Sequence, residues 1–135
     1  MPAQTTDYGF SVAVSAPYAD AVAKTRAALA KEGFGVITEI DVTATLKEKL
    51  GVDFHPYVIL GACNPSLAHR ALTAERDIGL LLPCNVIVYT SDRPGVCVVA
   101  ALDPVAMLGL VGRPEMEPLA YEVRANLERA LDSLN

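Results

Sequence analysis

The chain has 135 residues, 52% of them hydrophobic, with 11 Lys+Arg against 16 Asp+Glu for a net charge of −5. That length supports one domain with its own core, and scattered basic residues without aromatic interleaving argue against a nucleic-acid partner. No apolar run approaches the ~20 residues of a membrane span, and neither a charged n-region nor a long apolar h-region is present at MPAQTTDYGF.

Three cysteines, an odd number in apolar surroundings, suit a reducing compartment better than a disulfide scaffold, so a cytoplasmic location is expected. The apolar content exceeds what one small interior can hold. A homodimer is therefore expected, with part of the surplus on the subunit interface.

Residues 1–7 read as a flexible leader and residues 8–135 as a single domain. Phe10, Val12 and Val14 alternate with Ser11, Ala13 and Ser15, the pattern of a half-buried strand. Residues 17–32 predict a helix with Tyr18, Val22, Thr25 and Leu29 at helical spacing. Asp20 complements its N-terminal dipole, Lys31 its C-terminal dipole, and Gly33 is placed to end it. A second strand follows at 34–42, and a strand–helix–strand unit of these lengths predicts the two strands parallel in one sheet.

Thr45-Leu-Lys-Glu48 matches a capping box, so residues 43–50 predict a short helix, with Leu46 and Leu50 packed on the protein. The third strand, 56–62, is almost continuously apolar, which predicts burial on both faces. Asn64-Pro65 opens a helix: asparagine caps free N–H groups and proline fits the first turn. A break at Thr73 leads to a second helical turn around 74–78. Strands at 83–90 and 96–102 flank the turn Ser91-Asp-Arg-Pro-Gly95. Asp103-Pro104 repeats the cap-plus-proline device and opens a short helix through 107 or 108. After a Gly/Pro-rich passage the last helix runs to about 134, burying Leu119, Val123, Leu127, Ala130, Leu131 and Leu134.

One dipeptide occurs twice, Cys63-Asn64 and Cys84-Asn85, at one end of each of two apolar strands. Antiparallel pairing of those strands would bring the two together at one sheet edge. Cys63 would then precede a helix N-terminus, where the dipole lowers a thiol pKa and free N–H groups hold an anion. Cys63, Cys84 and the imidazole of His69, or less readily His55, are weak candidates for a metal site, since the spacing is not that of a structural zinc motif and a fourth ligand is missing. A Cys/His nucleophilic pair with Asn64 or Asn85 as orienter is also conceivable. The plainer reading is packing: cysteine behaves as a small hydrophobe, Asn64 caps a helix, and Asn85 satisfies backbone at a strand entrance. Cys97, inside a strand, reads as core.

The segments DVTATLKEKLGVDFHPYVILGACNPSLAHRAL, IGLLLPCNVIVY and ALDPVAML resemble the domain-of-unknown-function family 302 (DUF302), most specifically in GACNP and LLPCNV. The resemblance implies an α+β domain of β-α-β(4)-α type, a curved sheet with helices on one face and small inserted helices, and dimers. It brings a fold and no reaction. No P-loop, nucleophile elbow, H-E-x-x-H or carboxylate pair is present.

Three readings stand at this level. The first is a small-ligand, anion or metal-binding or interaction module using Cys63, Asn64, Cys84, Asn85 and His69. The second is a thiol-dependent enzyme or redox or sulfur-handling protein using Cys63 or Cys84. The third is a purely structural dimer. No cofactor is named by the residues.

Overall fold

The computed structural model describes residues 4–135; the first half of the expected leader, residues 1–3, lies outside the described residues. Gln4–Thr5 of that leader pairs as a two-residue strand, β1, against the first long strand, β2 (Gly9–Ser15). Helix α1 (Tyr18–Lys31), β3 (Gly35–Asp41), α2 (Val42–Leu50), β4 (Tyr57–Cys63) and α3 (Pro65–Ala74) follow. Next come a 3₁₀ turn (Arg76–Leu81), β5 (Cys84–Thr90), β6 (Val96–Leu102), α4 (Pro104–Val111), a second 3₁₀ turn and α5 (Glu117–Asp132).

The strands form one six-stranded sheet in the order β1-β2-β6-β5-β4-β3, every neighbouring pair antiparallel. β2 and β3 therefore do run in the same direction in one sheet, as their crossover predicts, but three strands lie between them. This is the α+β architecture expected.

The core follows from strand periodicity. Phe10, Val12 and Val14 of β2, Val58 and Leu60 of β4, Val86 and Val88 of β5 and Val99 of β6 are buried on one face, and α1 and α5 pack on that face. Their sheet-facing stripes mix alanine and leucine: Ala21, Thr25, Ala28 and Leu29 of α1, and Leu127, Ala130 and Leu131 of α5. The alanines bring the helix axes close to the sheet, so Tyr18, Val22, Val123 and Leu134 end up half-buried on the flanks of this core, while Leu119 is half-buried away from it. Thr25 is the one buried polar residue described, and its hydroxyl donates to the Ala21 carbonyl at 2.7 Å.

Two expectations change. β4 is buried on one face only: Val58, Leu60 and Ala62 are covered while Tyr57 and Ile59 are half-exposed, because helices cover a single side of the sheet. And α2 begins earlier than its capping-box signal. Its N-cap is Asp41, whose side chain accepts from the Ala44 N–H at 2.9 Å, so Thr45 and Glu48 lie inside the helix and Leu50 is 68% exposed. A carboxylate at the N-cap offsets both an unpaired N–H and the dipole, and it outcompetes a threonine four residues on. Asp41→Ala should therefore cost about 1 kcal/mol and Thr45→Ala less than half of that, read from urea unfolding midpoints. Equal losses would restore the later start.

Among the described residues, no helix is long and apolar enough to cross a membrane.

Candidate functional site

The two Cys-Asn motifs meet where β4 ends and β5 begins. Ala62 lies opposite Cys84 in the β4–β5 ladder. After Cys63 the chain turns into α3, whose start is held by the Asn64 side chain accepting from the Leu67 N–H at 3.3 Å, with Pro65 in the first turn. The Asn64 amide also lies against Gly33, the residue that reverses the chain after α1. A Cβ on Gly33 would sit 2.9 Å from Asn64 Nδ2, and φ of 87° there already favours glycine. Asn64 thus joins two chain reversals.

On the other side, Gly61 occupies a place where a side chain has no room: a Cβ would overlap Thr38 Oγ1 and stand 2.7 Å from Pro83 Cγ. The β3–β4 register shifts between Val36 and Thr38, leaving Ile37 as an extra, 62% exposed residue at this edge. The Leu82–Pro83 peptide, just before Cys84, is cis.

Beside this junction lies an apolar cavity of about 320 Å³. Phe34, Ala62, Cys63 and Cys84 form the wall on the sheet side; Leu67, Ala68, Ala71 and Leu72 come from α3; Met107, Leu108, Met116, Ala120 and Val123 come from α4, α5 and the turn between them. It separates the main core from a smaller cluster of Ala71, Ile78, Leu108, Met116 and Ala120. The second wall is tied at its rim by ion pairs, Arg70–Glu122 at 3.0 Å between α3 and α5, and Arg113–Glu75 at 2.7 Å between the turn after α4 and the end of α3. Among the described residues, no lining side chain is charged, and Asn64 is the sole amide.

The predicted site residues divide. Cys63, Asn64 and Cys84 line the cavity. His69 does not: Leu67, Ala68, Ala71 and Leu72 take the inner face of α3, and the 100° step per residue leaves His69 exposed on the outer one. Asn85 does not either. Strand alternation puts it on the opposite face from Cys84, in a depression with Tyr8, Ile87 and Tyr89. Cys63, Cys84 and His69 are thus not assembled as ligands, and among the described residues no group of three or more His, Cys, Asp or Glu side chains could hold a metal ion. His55 sits in an exposed aromatic cluster, its ring 5.9 Å from Tyr89.

The thiols are not alike. Burial, and after it the neighbouring Cys63, pushes the Cys84 thiol up to about 11, so it is protonated at neutral pH. Cys97 is fully buried in β6, its pKa also raised by burial, and its thiol donates to the Ala16 carbonyl at 3.5 Å. A low-pKa thiolate at Cys84, expected for an activated nucleophile, is the reverse of what its surroundings produce.

Sequence reasoning missed most of the cavity wall. Its signal was α4, PVAMLGLV, apolar all round and therefore in need of partners on more than one side.

The family model described as domain of unknown function DUF302 matches residues 10–134. Among solved structures, the crystal structure of an uncharacterized conserved protein DUF302 from Bacillus stearothermophilus is similar, with a TM-score of 0.85 and 32% sequence identity over 94% of this chain and 98% of that one. No curated protein matches the chain.

Proposed function

The chain belongs to the DUF302 family, and within that family's fold we propose that it is a binding module for a small, neutral, apolar molecule held in the cavity beside Cys63 and Cys84. One observation carries this reading: a cavity of about 320 Å³, within the range of small-molecule sites, has among the described residues a lining without charged side chains, with Asn64 and two thiols as its polar groups. An anion would meet no cation there, and a metal ion would find too few ligands. Transfer of an apolar ligand from water is favoured by roughly 25 cal/mol per Å² of apolar surface covered, while Asn64 and the thiols at one end are placed to orient a single polar group.

For Cys84 the thiol-enzyme reading is disfavoured by the same wall: its thiol is protonated, and among the described residues no imidazole, carboxylate or amine lines the cavity to take its proton.

Titration with the fluorescent probe N-phenyl-1-naphthylamine tests the proposal. The wild-type protein should give saturable, one-to-one enhancement. Ala71→Phe, which puts a phenyl ring into the cavity from α3, should keep the native circular dichroism and lose that binding, with Ala120→Phe as the second variant from α5. Equal binding by the wild-type and filled proteins, or none by the wild type, sinks it.

A further inference from the structure

The sheet face opposite the helices is unlike the rest of the surface. In a chain with 20% charged residues, no Asp, Glu, Lys or Arg stands at any outward position of β2 to β6 among the described residues. The charges that β3 does carry, Glu39 and Asp41, pair in register with Leu60 and Val58 and so turn to the helix side; Glu39 there meets Arg26 of α1 at 2.5 Å.

Outward residues line up across the strands. Ile40, Ile59, Ile87, Ala100 and Ser11 form one row by register. In the next row Tyr57 and Tyr89 stack with ring centroids 5.3 Å apart and planes 7° from parallel. Ile40 is 51% exposed, and its row partners are half-exposed.

We propose that this face is where two copies of the chain meet, sheet on sheet. Charge argues for a second copy. The molecule carries −5, so self-association needs a surface without charge, whereas a basic or acidic partner would call for countercharges that this face lacks. Size argues the same way. Five strands ~4.8 Å apart and seven residues long at ~3.4 Å each present a face of roughly 600 Å² before side-chain relief. With Tyr8 and Phe54 exposed at the rim, that approaches the ~800 Å² per partner of a standard interface. A second copy related by a two-fold axis offers a face as broad and as free of charge, from the same sequence.

Sedimentation equilibrium over a range of protein concentrations tests this. The wild type should be a dimer, and Ile87→Lys should dissociate at least about a hundredfold more readily with its circular dichroism unchanged. Should that variant not fold, Ile40→Lys, solvated in the monomer, decides the matter through its dissociation constant. A wild-type monomer at the highest concentration, or a dimer that both variants leave intact, overturns the proposal.

Discussion

Gly61→Ala should lower the free energy of unfolding by about 3 kcal/mol, at the upper end of what overpacking costs. The added methyl would overlap Thr38 Oγ1 and stand 2.7 Å from Pro83 Cγ. Neither obstacle is the end of a flexible side chain: one sits on a β-branched carbon, the other in a proline ring. Retreat is also blocked, because β4 is hydrogen-bonded to β3 on one side and β5 on the other. Gly35→Ala is the matched control, since a Cβ there meets nothing within 4 Å; it should change stability by no more than ~0.5 kcal/mol. Urea unfolding of the two variants reads the difference. Equal effects would mean that the β4–β5 junction yields more easily than its packing implies.

The second large effect appears at alkaline pH. The Cys84 pKa is raised to about 11 from the ordinary 9.0 of a thiol, burial first and Cys63 second. Below about pH 9 the thiol is protonated in both folded and unfolded chains and is neutral to the balance. Between about pH 9 and pH 11 the unfolded chain has released the proton while the folded one keeps it, so stability falls as pH rises. The loss attributable to this one group approaches 2–3 kcal/mol, at ~1.4 kcal/mol per unit of difference. Cys84→Ala removes the group, so its stability should decline less steeply over that window than the wild type's, whatever constant cost the substitution adds. Parallel curves would show that Cys84 ionises in the folded protein as readily as in the unfolded one.

Local signals were legible wherever they rest on neighbours in the chain. The turn Ser91–Gly95 and the apolar run from Val96 to Leu102 after it mark β6 to the residue, and Asn64-Pro65 and Asp103-Pro104 both cap helices as read, with Asp103 accepting from the Val105 N–H at 2.9 Å. The approach of the two Cys-Asn motifs was legible too, because antiparallel pairing of two apolar strands was the natural arrangement. Which face each residue takes was not. Cys84 and Asn85 are adjacent in sequence, yet one borders the cavity and the other the bare sheet face. The cavity itself had no local signature. Its wall draws on residues from Phe34 to Val123, and its volume exists because Ala68, Ala71 and Ala120 are small where their helices converge. Space left empty by residues far apart in the chain leaves no motif. The uncharged sheet face lay between these cases: each strand showed it in part, and only the register revealed it as continuous.

The most direct test of the binding-module reading is the methyl NMR spectrum of the full chain as N-phenyl-1-naphthylamine is added. Binding in the cavity should shift the methyl signals of Met107, Met116, Leu67 and Leu108 while leaving Ile59 and Ile87 in place. Shifts confined to Ile59, Ile87 and Val98 on the bare sheet face, or no shifts at all, would contradict it.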